Sequence, residues 1–396
     1  MKKLLLFSFF VLCFNMLQSQ VESDFEKFKR DQEEAMKAMQ QNDSTLISSL
    51  EKAYQDYVKA EQEAYANFVK KMSNLWGSDN VIESTNKEWV EYSDNGNSRS
   101  SVDFEEGKAT IEIIVTPDEE QSEVKLEKKV EEKIKELIVS RGKTKDYDTE
   151  KEKAVPLQST AVLENQVQTP SGEVVTEDNV DKSVKEIVKE TAIEKKEITG
   201  NDGQKRHVVT VKLDLVPDHI RTRAKKYQNE VEKYCKRYGV DPAMAFAVMQ
   251  TESSFNPKAK SHIPAYGLMQ IVPASAGKDC AQSLKKPFSK PTANYLYKPE
   301  NNIEMGVHYL HLLKKRYYTK VENKDSQDLC VIASYNTGAG NVARALRGDT
   351  NIFKAIPQIN AMSYDELFKY FEKKLLPETQ NYIRKVTERM KVFSNN

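Results

Sequence analysis

One acidic residue near the end of an apolar helical segment is the first candidate for chemistry in this sequence. Glu252 lies in the run from Val248 to Pro273, VMQTESSFNPKAKSHIPAYGLMQIVP. A helix dipole disfavours negative charge in the last turn, and burial disfavours the ionised form of a carboxyl, so both effects raise the pKa. A raised pKa suits a general acid that works near neutral pH. The alternative is an ordinary exposed glutamate at a helix end.

The helix that positions Glu252 can be predicted from its flanks. Asp241 is a good N-cap and Pro242 suits the first helical position, while apolar residues recur at helical spacing beyond them. We expect a helix from about Asp241 to about Ser254. Asn256-Pro257 ends it.

Several further motifs follow Glu252-Ser253 at separate positions: Asn256-Pro257, Ser261, Gly267-Leu268-Met269-Gln270 and Ser334-Tyr335-Asn336. Together they resemble the lytic murein transglycosylases of bacterial cell walls that carry a soluble-lytic-type catalytic domain. Leu215–His219 and Trp89–Asn95 further resemble the membrane-bound C branch of that family. The resemblance covers roughly residue 75 to the C-terminus.

The resemblance implies a lysozyme-like α+β domain around a long cleft, and cleavage of peptidoglycan without water as the nucleophile. Glycoside cleavage usually needs two carboxylates, yet no second acidic residue occurs near Glu252 until Asp279. In the family, the N-acetyl group of the sugar stabilises the anomeric centre and its 6-hydroxyl attacks it. Glu252 is then the single general acid and base, and it cleaves the MurNAc-GlcNAc β-1,4 bond to leave a 1,6-anhydromuramic end.

The other candidate site residues are implied by the same resemblance, and each has a structural alternative. Hydroxyls and amides in loops often cap local backbone, tyrosines on helices often pack in the core, and methionines fill gaps there. The functional interpretation gives hydrogen bonding near the N-acetyl group to Ser261 and Gln270, a sugar subsite to Met269, and cleft contacts to Tyr335, Asn336 and Tyr382.

Two other functions remain open at this point. A lysozyme-type murein hydrolase needs a second carboxylate to hold water, which Asp279, Glu300 or Glu304 could supply if the fold places one opposite Glu252. A non-catalytic murein-binding scaffold would use the same cleft with a silent acid. The products formed from murein distinguish the three.

The charge is unevenly distributed, although it totals zero. Residues 1–216 carry 31 Lys and Arg against 43 Asp and Glu, whereas residues 217–396 carry 29 against 17. A basic C-terminal half suits a polyanion such as peptidoglycan glycan strands with their peptide carboxylates. In the absence of a nucleic-acid motif we expect no nucleic-acid partner. The opposite charges could also simply help the two halves dock.

No cofactor or metal is expected. The five histidines lack metal-ligand spacing apart from a loose pair for which we expect a surface position. They are His207, His219, His262, His308 and His311, the last two forming that pair.

The N-terminus predicts export. Lys2-Lys3 and the apolar run Leu4–Leu12 resemble a signal peptide over residues 1–20, so we expect a periplasmic protein. Cys13 raises the question of lipidation and outer-membrane attachment, but Leu12 stands where a lipobox has a small residue. Either one disulfide or buried free thiols can account for Cys235, Cys280 and Cys330.

The remaining patterns predict an α+β chain with three parts after the signal peptide. Residues 21–74 form a helical segment broken near residues 42–44, and residues 75–216 form a small domain of antiparallel strands and a helix, with a mobile loop over residues 141–153. In that domain we expect tight turns at Asn95-Gly96-Asn97 and Glu105-Glu106-Gly107 and a further strand over residues 208–216. Residues 217–396 form a mainly α-helical domain, which the resemblance implies to be lysozyme-like. Besides the helix of Glu252, helical patterns cover residues 219–238, 302–318, 328–335, 341–346, 364–375 and 378–392. The helix Glu123–Ser140 should cover the sheet with Leu126, Val130, Ile134, Leu137 and Ile138.

Overall fold

The computed structural model describes residues 44–261 and 264–394. The predicted signal peptide, Cys13 and the first helix of the segment 21–74 lie outside these residues. The second helix of that segment is α1, Ser44–Trp76.

A five-stranded antiparallel sheet forms the centre of the N-terminal half. Its strands are β1 (Glu88–Tyr92), β2 (Ser98–Asp103), β3 (Lys108–Val115), β4 (Glu194–Thr199) and β5 (Lys205–Asp214), in the order β1-β2-β3-β5-β4. The predicted turns at Asn95-Gly96-Asn97 and Glu105-Glu106-Gly107 join the first three strands. The predicted strand near residues 208–216 is β5, whereas β4 was not predicted.

Helices cover one face of this sheet. Short α2 (Pro117–Gln121) precedes α3 (Glu123–Val139), which buries the five predicted apolar residues, and α4 (Val180–Glu190) packs beside it. The other face is covered by the end of α1, where Met72 and Trp76 are buried against Val90 and Val208. The middle of the sheet is therefore covered on both sides, which explains why consecutive residues of β3, from Ile111 to Ile113, are buried.

The expectation of a mobile loop over residues 141–153 is wrong. Thr144 and Lys145 are buried, and the Lys145 ammonium pairs with Glu61 of α1 at 2.5 Å. Asp146 pairs with Lys258 of the C-terminal half at 3.1 Å. Two of the charges that suggested a solvated loop, Lys145 and Asp146, are instead paired with charges distant in sequence.

The C-terminal half is helical, as predicted. Its helices are α5 (His219–Lys226), α6 (Gln228–Tyr238), α7 (Pro242–Ser253), α8 (Lys278–Ser283), α9 (Ala293–Tyr297), α10 (Pro299–Tyr317), α11 (Lys324–Thr337), α12 (Ala339–Arg347), α13 (Ile352–Asn360), α14 (Tyr364–Lys374) and α15 (Pro377–Ser394). The sequence patterns missed α8, α9 and α13. The single helix expected over residues 219–238 is two helices, because the chain breaks at Tyr227, whose side chain is buried.

The helix α7 lies in the middle of the helical core. Ala245, Ala247, Val248 and Met249 are fully buried, so the helix has an apolar neighbour on almost every side. Phe246 stacks on Phe393 of α15, with ring centroids 5.3 Å apart. The packing of α7 against α15 places the helix that carries Glu252 beside the helix that carries Tyr382.

Within the described residues, Cys235, Cys280 and Cys330 are free and buried, which agrees with the alternative of buried free thiols. No helix in the described ranges has the length and apolar character needed to cross a membrane.

The α3 contact with the sheet can be tested at Ile134, which is fully buried. We expect Ile134→Ala to lower the free energy of unfolding by about 2–5 kcal/mol, because it leaves a cavity in the core. Urea unfolding at constant pH measures this. The exposed Lys128 on the same helix provides a control, and a loss no larger in Ile134→Ala than in Lys128→Ala would contradict the packing.

Candidate active site

The site is built on the C-terminal end of α7. Asp241 caps its start by accepting a hydrogen bond from the backbone of Ala243, and Pro242 occupies the first turn, as predicted. The helix ends at Ser254 in the left-handed conformation, with φ of 48°. Glu252 is therefore held in the last turn, partly buried.

The Glu252 carboxyl has an altered acidity. Burial raises its pKa to about 7, while the hydrogen bond from Tyr382 and the charge of Lys87 lower it and the charge of Glu378 raises it. Near pH 7 the carboxyl is thus divided between its protonated and ionised forms, as a group that both gives and takes a proton requires.

Tyr382 contacts this carboxyl directly. Its hydroxyl donates a hydrogen bond of 2.7 Å to Glu252 Oε1, from a buried position on α15. Tyr335, on α11, donates instead to the backbone carbonyl of Met269 at 2.7 Å. Burial, and next the charge of Glu252, raise the pKa of Tyr335, so this phenol also lies near the acid.

The turn Gly267–Gln270 contains the Met269 carbonyl that Tyr335 contacts. Gly267 has a φ of 75°, and a Cβ there would lie 2.3 Å from Asn302 Nδ2, so a side chain at this position would not fit. Asn302 is fully buried and holds the turn: its Oδ1 accepts from the Met269 amide at 2.7 Å and its Nδ2 donates to Tyr266 O at 2.7 Å. Sequence reasoning missed Asn302, which lies 33 residues beyond Met269 in sequence.

The side chains of this turn point in different directions. Met269 is fully buried in the core, close against Gly306, and only its backbone carbonyl reaches the Tyr335 hydroxyl. Gln270, with φ of 47°, donates from Nε2 to Ala259 O at 3.1 Å. Its Oε1 is buried and has no hydrogen-bond partner within the part of the chain that is described. An acceptor of this kind can serve a ligand amide N–H.

Ser261 and Asn336 lie on two other elements. Ser261 is partly buried in the loop after α7, and its amide donates to Ala265 O at 3.3 Å. Asn336 lies on α11, where its Oδ1 accepts from Thr379 Oγ1 at 2.7 Å and its Nδ2 donates to Glu378 at 3.4 Å. Asn336 thus ties α11 to the start of α15.

Three carboxylates considered as partners for Glu252 are in ion pairs. Asp279 pairs with Arg316 at 2.8 Å, Glu300 with Lys233 at 2.9 Å and Glu304 with Lys286 at 2.6 Å. The acidic residue whose charge acts on Glu252 is Glu378, which was not singled out from the sequence.

The N-terminal half also reaches the site. Lys87 Nζ, from just before β1, donates to the carbonyls of Gln250 and Thr251 at 2.9 and 2.7 Å. Asn86 Nδ2 donates to the Glu252 carbonyl at 3.3 Å. Nothing in the local sequence identifies these two residues, because their role depends on a contact between halves.

No group of three metal-ligating side chains occurs in residues 44–261 and 264–394. The expected surface position of the pair His308 and His311 is wrong for His308, which is buried and contacts Ser283 Oγ at 2.9 Å. Burial lowers the pKa of His308 to about 4, so this side chain is neutral at physiological pH.

Known protein families match both halves of the chain. Residues 229–355 match the Transglycosylase SLT domain family, and residues 41–226 match the family described as membrane-bound lytic murein transglycosylase C, N-terminal domain. The chain is thus a lytic transglycosylase, an enzyme that acts on peptidoglycan.

Similar proteins include two named membrane-bound lytic murein transglycosylase C. The protein of Mannheimia succiniciproducens is 31% identical over 82% of this chain and 87% of its own length. The protein of Sodalis glossinidius is 32% identical over 85% of this chain and 93% of its own length. The chain belongs to the membrane-bound lytic murein transglycosylase C family. Among solved structures, the 70 kDa soluble lytic transglycosylase of Escherichia coli is 25% identical over 41% of this chain and 23% of its own, with a TM-score of 0.33.

The acidity of Glu252 can be tested through stability. Because its pKa rises from 4.5 to about 7 on folding, the native state binds more protons than the unfolded state between these values, and this site lowers stability as pH rises. Glu252→Gln removes the charge. We expect this variant to match wild type near pH 4 and to exceed it by about 3 kcal/mol near pH 8.

Urea unfolding at several pH values measures that difference. Glu322→Gln removes an exposed carboxylate between α10 and α11 and serves as the control. A difference between Glu252→Gln and wild type that does not change with pH would contradict the raised pKa.

Proposed function

We propose that this enzyme cleaves the β-1,4 bond between N-acetylmuramic acid and N-acetylglucosamine without hydrolysis, leaving 1,6-anhydromuramic ends, with Glu252 as the single general acid and base. The observation that supports this most is the Glu252 carboxyl itself. One oxygen accepts the Tyr382 hydrogen bond, and its pKa of about 7 makes both protonation states accessible. We assign proton transfer to the other oxygen.

The first step uses the protonated form. Glu252 gives its proton to the glycosidic oxygen while the bond from that oxygen to the anomeric carbon breaks, and the N-acetyl oxygen of the muramic residue takes up the positive charge at that carbon. Burial of Glu252 supports this step because it keeps the carboxyl protonated at a pH where an exposed glutamate is ionised.

The second step uses the ionised form. The 6-hydroxyl of the same sugar attacks the anomeric carbon and gives its proton to the Glu252 carboxylate, which restores the starting state. The Tyr382 hydrogen bond and the Lys87 charge stabilise the carboxylate in the interval. No second carboxylate is needed, because the substrate supplies both the stabilising group and the nucleophile.

The neighbouring residues bind and orient the glycan. We assign Gln270 and Ser261 to the N-acetyl group, since Gln270 Oε1 is an unused acceptor beside the turn. We assign cleft contacts to Tyr335 and Asn336. Met269 acts through the turn it anchors, because its side chain is fully buried.

The cellular location is part of the proposal. Relatives are named membrane-bound, and residues 1–20 resemble a signal peptide. We infer an exported enzyme that works in the periplasm and is associated with the outer membrane. Peptidoglycan glycan strands are its substrate.

Mass spectrometry of digested murein tests the reaction. We expect wild type to release muropeptides one water lighter than hydrolysis products, and Glu252→Gln to be slower by at least about 100-fold, because it cannot transfer a proton. Glu322→Gln should act like wild type. Reducing-end products would identify a hydrolase, and binding of murein without cleavage by wild type would identify a scaffold.

The role of Tyr382 predicts a change in pH dependence. Cleavage begins from protonated Glu252, so activity should fall as pH rises past its pKa, and the Tyr382 hydrogen bond lowers that pKa. In Tyr382→Phe we expect the alkaline limb of kcat/KM to move up by roughly one pH unit, the size of a lost hydrogen bond to a charged group. Tyr370→Phe, which removes a hydroxyl bonded to Ala345 O, is the control. A limb that stays in place would refute this role.

A further inference from the structure

A short segment of the N-terminal half closes the end of the catalytic helix. Besides its bonds to the carbonyls of Gln250 and Thr251, Lys87 Nζ donates to Ser254 Oγ at 3.2 Å. The last carbonyls of a helix lack intrahelical partners and carry partial negative charge, so an ammonium group there stabilises the helix end. Lys87 supplies this cap from outside the catalytic half.

The residues beside Lys87 hold the chain on both sides of the acid. Asn86 donates to the carbonyl of Glu252 itself. The Thr85 carbonyl accepts from Asn256 Nδ2 and from the Lys260 amide, both at 3.3 Å. Segment 85–87 is therefore bonded to the last turn of α7 and to the loop that continues to Ser261.

A second link joins the helix that carries Tyr382 to the same N-terminal sheet. Arg389 on α15 donates to Thr251 Oγ1 at 2.9 Å and pairs with Glu105, in the turn between β2 and β3, at 3.6 Å. Both helices of the acid and tyrosine pair are thus connected to the N-terminal half.

The charges around Lys87 are mixed. Burial lowers its pKa to about 8, the carboxylates of Glu105 and Glu252 raise it, and the cations Arg389 and Lys385 lower it. In return, the charge of Lys87 lowers the pKa of Glu252, with Tyr382 acting in the same direction and Glu378 against it. Lys87 and Glu252 therefore interact electrostatically.

We propose that Lys87 is a positioning residue through which the N-terminal domain holds the last turn of α7 and thereby the Glu252 carboxyl in place. The N-terminal domain is then a working part of the active site. The contacts stand independently, while their consequence for the reaction rests on the proposed function of Glu252.

Two variants test this role. Lys87→Met removes the charge and the donors but keeps much of the length, whereas Lys87→Arg keeps both charge and donors. We expect Lys87→Met to lower kcat/KM at pH 6 by roughly 10-fold through misplacement of the acid, and to move the alkaline limb to higher pH. Lys87→Arg should keep the limb close to wild type. Lys108→Met, at an exposed lysine of the same sheet, is the control.

A second measurement does not depend on catalysis. The pKa of Glu252 can be followed by carbon NMR of protein labelled at the glutamate carboxyl, with the signal identified by its absence in Glu252→Gln. We expect a higher pKa in Lys87→Met than in wild type, Lys87→Arg or Lys108→Met. Urea unfolding of each variant at the assay temperature shows whether it is folded.

The outcomes separate the two proposals. If wild type releases no anhydro products, the proposed reaction fails, whereas a raised pKa of Glu252 in Lys87→Met would still support the positioning role. A second outcome is that wild type releases anhydro products while Lys87→Met shows the wild-type alkaline limb of kcat/KM and the wild-type pKa of Glu252. That result overturns the inference, and Lys87 is then only a structural cap. If Lys87→Met does not fold, the pKa of Glu252 in Lys87→Arg decides. A pKa equal to that of wild type supports the role, and a pKa well above that of wild type overturns it.

Discussion

The arrangement depends on one unfavourable placement: a carboxyl partly buried at the negative end of a helix. Burial and the helix dipole both oppose the ionised form of Glu252, and burial is the largest influence on its pKa. Left alone, such a group would stay protonated and could not accept a proton in the second step that we propose. The structure offsets the burial with a phenol hydroxyl from α15 and an ammonium group from the N-terminal half. The acid thus requires elements far apart in sequence to meet.

Local patterns in the sequence predicted what depends on neighbours along the chain. The five apolar residues of α3 follow helical spacing and all are buried. Asp241 and Pro242 mark the start of α7 because capping is a property of adjacent residues. The turns at residues 95–97 and 105–107 likewise carry their own signal, since their asparagine and glycine residues suit tight turns.

The parts that sequence reasoning missed depend on contacts across long separations. The strand β4 has five exposed residues of six, so it lacks the alternation that identifies a strand. The charged run 141–153 reads as solvated because its partners, Glu61 and Lys258, lie elsewhere in the chain. Asn302 and Lys87 have no motif of their own, and the resemblance that gave Glu252, Gln270 and Tyr382 did not include them. A site residue that acts through backbone carbonyls is hard to recognise from a single sequence.

The double role that we propose for one carboxyl would explain why two halves share the site. A residue that only donates a proton tolerates a high pKa, and a residue that only accepts one tolerates a low pKa, but alternation requires a value near ambient pH. Such a value is a balance of opposing influences rather than the result of one strong one, so small displacements of Lys87, Glu378 or Tyr382 change it. Glu252 lies on a helix with an apolar core around it, Tyr382 on a neighbouring helix, and Lys87 at the edge of a sheet whose middle is covered on both faces. Rigid supports from three elements keep the balance steady, and this is a physical reason for a lytic transglycosylase domain to keep a second folded domain against the end of its catalytic helix.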